Sequence, residues 1–213
     1  EARVYFPLMV GSVPLVAAFL SWHDIYPTFG ESLRHAAFNV VSVATTTGYA
    51  TVDYALWPAF APVLMLFLCS FATCAGSTGG GIKLIRSLLL HKQAQRELTR
   101  IVHPRAVVPV TLGSAVVPNQ LLASVLAFML IYGSVMVTVT MLLLFSGLDL
   151  ITASTAAIAC INNTGPGLGQ VGPSGNFQGL TDFQTWICTC AMLLGRLELL
   201  SVLVLFTPGF WRR

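Results

Sequence analysis

Long apolar runs alternate with short polar interruptions along this chain. Val4 to Leu20 is almost wholly apolar, and Trp22 and Tyr26 follow it. A helix that crosses a bilayer needs about 20 mostly apolar residues, and Trp and Tyr suit its interfacial end. Glu31 to Ala44 (ESLRHAAFNVVSVA) comes next, amphipathic and too short to span. TTTGYATVDYA then shows no helical pattern. Trp57 to Thr73 is apolar, a glycine-rich segment interrupts it, and Ile82 to Leu90 resumes it.

After a polar stretch the order recurs. Leu121 to Phe145 is long and apolar, Gly147 to Cys160 is short, INNTGPGLGQ is irregular, and Trp186 to Phe206 is apolar again. Both halves read as span, short helix, glycine-containing turn, span. Placing Gly48 over Gly165, an offset of 117, lays SVATTTGYA over ACINNTGPG. Order and spacing carry the repeat, since identity across the overlay is slight. Internal repeats of this kind are common in membrane transport proteins.

Composition strengthens the membrane reading. The 213 residues are 55% hydrophobic and 9% charged, with a mean hydropathy of +0.79. Soluble domains carry about 25% charged residues. The five cysteines lie in or beside apolar runs and match no zinc spacing, so they read as packing residues. The four histidines form no HExxH motif. The abrupt start at Glu1, without Met, is expected of a fragment or processed product.

Charge then sets topology. Lys83, Arg86, Lys92, Arg96, Arg100 and Arg105 cluster between residues 83 and 105, with Arg3 near the start and Arg212 and Arg213 at the end. Positive residues mark the cytoplasmic side. Both short helices and their turns then dip from the outside, a parallel arrangement. That outer face carries Asp24, Glu31, Asp53, Asp149 and Asp182, five of the eight acidic residues. They either concentrate an incoming cation or serve as ordinary solvated loop charge.

Irregular backbone at membrane depth must be buried in protein or line a watery cavity. A cation path meets that rule, because carbonyl oxygens can replace an ion's hydration shell. Glycine lets the chain turn its carbonyls inward, and threonines add hydroxyl acceptors. The turns Thr45–Tyr49 and Asn162–Pro166 must meet that rule, and TTTGY has the ingredients of a filter strand, with an ordinary extracellular turn as the alternative.

At these residues the chain resembles a known family. VATTTGYATVDYALWPAF, CAGSTGGGIKLIR, INNTGPGLG and GRLELLSVLVLFTPGFWR are similar to the second half of bacterial Trk-type potassium uptake proteins, of the Trk/Ktr/HKT superfamily. The resemblance implies an all-α membrane fold of four membrane–pore loop–membrane repeats around one pore, of which this chain matches the third and fourth. It implies K⁺ uptake across the bacterial cytoplasmic (inner) membrane, a homodimeric membrane subunit and a cytosolic nucleotide-binding regulatory subunit. It carries the third filter onto Thr45, Thr46, Thr47, Gly48 and Tyr49. The fourth falls on Asn162, Asn163, Thr164, Gly165 and Pro166. K⁺ would sit at Thr45, Thr46, Asn162 and Asn163. In this superfamily Ser at the filter glycine goes with Na⁺, and both turns here keep Gly. No covalent cofactor is implied, and nucleotide enters only through the regulatory subunit.

The segment CAGSTGGGIKLIR invites a second reading, as a phosphate loop. A Walker A motif needs G-x-x-x-x-G-K-[ST] after a strand. Gly76 and Gly81 have that spacing, but Ile82 follows, the lysine comes one late at Lys83, and Leu84 replaces Ser/Thr. Each glycine costs a helix about 1 kcal/mol, so the segment should unwind one. Counting the 17 residues from Trp57 to Thr73 at about 1.5 Å each puts the break roughly 25 Å below the outer surface. The resemblance makes Gly76, Ser77, Thr78, Gly79, Gly80 and Gly81 an intramembrane gate loop (75–81). A glycine-lined helix crossing is the structural alternative. Arg196 lies inside an apolar run, where charge is expensive and marks function or pairing. The resemblance faces it to the pore as a positive barrier. Burial against another repeat's carboxylate is the alternative. Glu198, two residues on, points away along a helix.

The expected organisation is a third-type repeat at 1–90, a basic cytoplasmic connector at 91–117 and a fourth-type repeat at 118–213. The connector serves either topology alone or a surface for the regulatory subunit. Two filter strands do not close a ring of four. An N-terminal half with two further repeats is expected to supply the rest, in preference to a second copy. The rival readings are a secondary transporter of another cation (Na⁺ or H⁺-coupled) with a discontinuous-helix site, and a membrane-embedded enzyme. The first would favour inverted repeats and a midplane carboxylate. The second would need a nucleophile–base set or metal cluster, and the sequence suggests neither that nor nucleic-acid binding.

Overall fold

Among the described residues, two helices are long and apolar enough to cross a bilayer: α1 (Ala2–Trp22) and α5 (Asn119–Phe145). The computed structural model describes residues 2–71, 73–74, 76–77, 79–113, 115–197, 204 and 208–211. Between and after those helices come α2 (Phe29–Ala44), α3 (Phe60–Phe71), α4 (Leu84–Val102), α6 (Leu150–Asn162), α7 (Asp182–Arg196) and α8 (Pro208–Trp211).

Each long helix buries one stripe and leaves the rest apolar. Met9, Ser12, Val16 and Leu20 of α1 recur every three or four residues and are buried, while Phe6, Val10 and Leu15 are exposed. On α5, Phe128, Tyr132, Val139 and Leu143 are buried, while Leu130, at 71% exposure, and Val137 face out. Helices that are apolar all round suit a lipid surround.

Two cores result. In the first, Val16, Ala17 and Leu20 of α1 pack with Ala36, Val40 and Val43 of α2 and Met65 of α3. In the second, Phe128, Tyr132 and Leu143 of α5 pack with Ala153, Ala156 and Ile161 of α6 and with Cys188 and Ala191 of α7. The fully buried Ala153, Ala156 and Ala157 let backbones approach closely, as small residues do in membrane helix packing.

The short helices start at marked caps. Thr28 accepts from the Glu31 N–H at the head of α2. Asp149 accepts from the Thr152 N–H at the head of α6. The sequence places the second short helix at Gly147–Cys160. It starts later because Gly147, at φ +96°, lies before the cap. Thr181 and Gln184 form a capping box on α7. Gln184 also reaches back to the Ser146 hydroxyl at 2.9 Å, tying α7 to the end of α5.

Three expectations change. The apolar run from Trp57 holds helix only over Phe60–Phe71, and helix resumes at Leu84. That helix does not stop at Leu90 but continues to Val102, so the boundary drawn at residue 90 falls inside α4. Gln93, Glu97 and Arg100 pair at helical spacing along it, as exposed helices favour. The rest of the connector folds back as a hairpin, β1 (Thr111–Leu112) antiparallel to β2 (Ala115–Val116), with Thr111 opposite Val116. Lys92 Nζ donates to the Thr111 carbonyl at 2.6 Å, and Arg96 donates to Asn119 Oδ1 at 2.9 Å. The run Trp186–Phe206 begins its helix earlier, at Asp182 in α7 (Asp182–Arg196), and beyond Leu197 only Val204 of that run is among the described residues. Glu1, Thr78, Glu198, Arg212 and Arg213 lie outside the described residues.

Candidate functional site: two turns and a glycine loop

Both short helices end in the same backbone device. After α2, Thr46 takes φ +55° and Gly48 φ +84°. After α6, Asn163 takes φ +54° and Gly165 φ +109°. The paired positions are separated by the offset of 117 read from the sequence. Left-handed residues after a helix reverse the chain and redirect its carbonyls. The two turns touch, because a Cβ at Gly48 would run into the Thr164 carbonyl.

Their side chains are used differently. Thr45 Oγ1 donates to the Val41 carbonyl at 2.7 Å and lies 2.8 Å from Thr47 Oγ1. Tyr49 is 72% exposed. Asn163 Nδ2 donates to the Met192 carbonyl of α7 at 3.3 Å. Thr164 is buried, Gly165 is exposed and Pro166 is half-buried.

Asn162, one of the expected filter residues, has a fully buried side chain. It is the last residue of α6 and is 0% exposed. Its Oδ1 accepts from the Tyr132 hydroxyl at 3.0 Å, and its Nδ2 donates to Ser70 Oγ at 3.0 Å and to Cys69 Sγ at 3.6 Å. The side chain is committed to protein, so any ion ligation there falls to its backbone carbonyl.

The glycine loop lies against both turns. The chain leaves helix after Phe71 and regains it at Leu84. A Cβ at Gly79 would stand 2.9 Å from Thr46 Oγ1 of the first turn. One at Gly80 would stand 2.5 Å from the Asn162 carbonyl of the second, and one at Gly81 2.7 Å from Asn162 Oδ1. These glycines are needed for close approach as well as for breaking a helix. Three bonds close the loop's foot: Thr73 Oγ1 to the Gly80 carbonyl at 2.9 Å, the Leu84 N–H to the Thr73 carbonyl at 2.7 Å, and the Ile82 N–H to the Ser70 carbonyl at 3.0 Å.

Beside the loop is a cavity of about 290 Å³, lined by Ser77, Gly79, Gly80, Gly81, Lys83, Arg86, Phe128, Tyr132, Gly195 and Arg196. Arg196 thus shares a wall with the loop. A Cβ at Gly195 would collide with the Ile161 carbonyl, so α7 is pressed against the end of α6. Lys83, at φ +67°, folds its ammonium back onto the Ser77 carbonyl at 2.8 Å. The Arg86 guanidinium lies 4.0 Å over the Phe128 ring, within cation–π range. Neither cation simply points to the cytoplasm.

On the opposite side the acidic residues have local tasks. Asp149 caps α6, while Glu31 and Asp182 sit in the first turns of α2 and α7, where negative charge complements the helix dipole. Asp53 accepts from the Ser174 hydroxyl at 2.5 Å, joining the outer loops of the two halves. The Thr152 hydroxyl and backbone N–H hold the Asp149 carboxyl below its usual range.

Sequence reasoning missed Tyr132, Ser70 and Cys69 as parts of this site. Their signal was slight: a phenol midway along an apolar run, and two small polarisable residues before the glycines.

A family model described as TrkH, cation transport protein, matches residues 25–212. The Trk system potassium uptake protein TrkH of Escherichia coli strain K12 is 42% identical over 212 residues, covering 100% of this chain and 44% of that protein. TrkG, the Trk system potassium uptake protein of the same strain, is 38% identical over 209 residues, covering 98% of this chain and 42% of its relative. The crystal structure of the potassium transporter TrkH from Vibrio parahaemolyticus matches with a TM-score of 0.92 at 40% identity, covering 99% of this chain and 44% of that one. The chain therefore spans less than half the length of these relatives, which are named for potassium transport and not for a catalysed reaction.

Proposed function

From the chain's membership of the TrkH cation transport protein family, we propose that it forms half of a potassium-uptake pore in the bacterial inner membrane. Thr45–Tyr49 and Asn162–Pro166 supply two of the four filter strands, and backbone carbonyls at Thr45, Thr46, Asn162 and Asn163 take the place of K⁺ hydration. The working division is a third-type repeat from residue 1, a connector that ends at 117 and a fourth-type repeat at 118–213, with the first boundary, expected at 90, lying within α4. An N-terminal half supplies the other two strands. The complete membrane subunit is a homodimer that works with a cytosolic nucleotide-binding subunit.

The observation that carries this reading is the seat of the glycine loop. Gly79 abuts one turn and Gly80 overlies the Asn162 carbonyl of the other. While the loop is seated, the inner side of the second turn is covered. The loop Gly76–Gly81 is the gate, and Arg196 adds a positive barrier beside it. The described residues bring Lys83, Arg86 and Arg196 to one cavity below the turns, which opposes passage of a cation until the loop and its neighbours move.

The test uses the complete transporter in an uptake-deficient bacterium under K⁺ limitation, with K⁺ and Na⁺ fluxes measured in vesicles. Gly48→Ser should raise Na⁺ permeation relative to K⁺, and unchanged selectivity counts against the filter. Shortening Gly76–Gly81 should raise K⁺ flux, and a folded variant with wild-type flux sinks the gate. Arg196→Ala should also raise flux. A folded protein that conducts no better assigns Arg196 a packing role.

A further inference from the structure

We propose that Asn162 is a positioning residue that locks the glycine loop to the second turn, so that loop position and turn geometry change together. This rests on the reading of the loop as the gate.

A buried amide is costly unless it is hydrogen-bonded. An amide shut away from water must find partners, and the Asn162 amide finds three. The Tyr132 hydroxyl donates to Oδ1 from the middle of α5. Ser70 Oγ and Cys69 Sγ accept from Nδ2 at the end of α3. Both acceptors are oriented by their own bonds to the Leu66 carbonyl, at 3.2 Å and 3.0 Å. Their lone pairs are thereby left for Asn162.

The same residue meets the loop. The Ser70 carbonyl accepts from the Ile82 N–H, at the loop's far foot. Gly80 rests on the Asn162 carbonyl, and Gly81 rests on its Oδ1. Ser70 therefore grips Asn162 by its side chain and the loop by its backbone. One position further, Asn163 begins the left-handed turn and bonds to α7. Displacing the loop removes support from both faces of Asn162, and the chain that leaves it is the second turn. The equivalent position in the other half, Thr45, bonds within its own helix and to Thr47. Coupling is thus built into one turn through the neighbouring helices.

The experiment is a double-mutant cycle in the complete transporter. Tyr132→Phe and Ser70→Ala each delete one polar partner and keep shape. They are measured in the wild-type loop and in the shortened Gly76–Gly81 background, with membrane abundance as the folding control. In the wild-type loop each should raise K⁺ flux about threefold, the scale of one neutral hydrogen bond. In the shortened background they should add nothing, because the lock has no loop to hold. Equal rises in both backgrounds, or none in the wild-type loop, overturn the lock. Shortening without any rise in flux overturns the gate reading first, and the lock with it.

Discussion

The two turns follow the same path and are held by opposite means. Thr46 and Asn163 share a left-handed φ, and Gly48 and Gly165 both take positive φ two residues later. The first turn is fixed from within, by threonine hydroxyls bonded to the preceding helix and to each other. The second is fixed from without, by asparagine amides that reach α3, α5 and α7. What repeats is the direction of the backbone. In the proposed pore, a fourfold arrangement of carbonyls would require only that, and side chains would be free to diverge. Thr46 also carries strain, since a β-branched residue at positive φ is an outlier. Asn tolerates that region far better.

The largest expected difference lies at the glycines. Gly48→Ala brings a methyl into the Thr164 carbonyl, while at Gly165 there is open space. Both variants meet the left-handed penalty of about 1–2 kcal/mol, but only Gly48→Ala adds a backbone collision. K⁺ uptake by the complete transporter should fall more than about tenfold for Gly48→Ala, the equivalent of 1.4 kcal/mol, and clearly less for Gly165→Ala. Equal losses would show that crowding between the turns is irrelevant.

Thr46→Asn makes the first turn resemble the second. It should stabilise the purified transporter by up to about 1 kcal/mol, seen as a raised thermal midpoint. A lowered midpoint would mean that the Thr46 side chain is needed where Gly79 meets it.

Acid separates the two pore helices. Thr28 caps α2 and does not titrate, while Asp149 caps α6. The Asp149 carboxyl is held below its ordinary value, so its stabilisation is present above about pH 4 and is lost as pH falls through the lower folded value. Thermal midpoints followed downward from neutral pH should show an acid limb that Asp149→Asn flattens, because Asn caps without a charge. The same limb in both proteins would assign it to other carboxylates.

Ser174→Ala should have the smallest effect. It removes a partner of Asp53 at an exposed site, where such contacts contribute about 0–1 kcal/mol. K⁺ uptake within about twofold of wild type is expected. A larger loss would mean that the outer loops set the spacing of the turns.

Much of the fold was legible because its signals are local. Apolar length marked α1 and α5, and the first short helix was placed within two residues of Phe29–Ala44. The turn glycines were legible because few residues accept their φ. The loop's true extent was not. The apolar run puts the break after Thr73, yet α3 ends at Phe71, and Thr73 uses its hydroxyl and carbonyl to close the loop's foot. α3 itself supplies 12 residues, about 18 Å of helix, where the apolar run from Trp57 to Thr73 has 17. The continuation of α4 was hidden by polarity, since a charged helix and a solvated connector look alike without their partners. Asn162 was hidden by its motif. Beside Asn163 and Gly165 it reads as a filter residue, and its partners Ser70 and Tyr132 are remote in sequence.

The attachment of α4 has a mechanical consequence. Its 19 residues make a rod about 28 Å long. One end is bonded to the loop's foot through the Leu84 N–H. Further along, Lys92 and Arg96 pin it to the hairpin and to the head of α5. Taken as a lever with its fulcrum between Lys92 and Arg96, the rod has its longer arm, roughly 15 Å, on the loop and roughly 12 Å on the polar tip. A small sideways force on the polar tip around Glu97 to Val102 arrives at Leu84 as a displacement of the opposite sense.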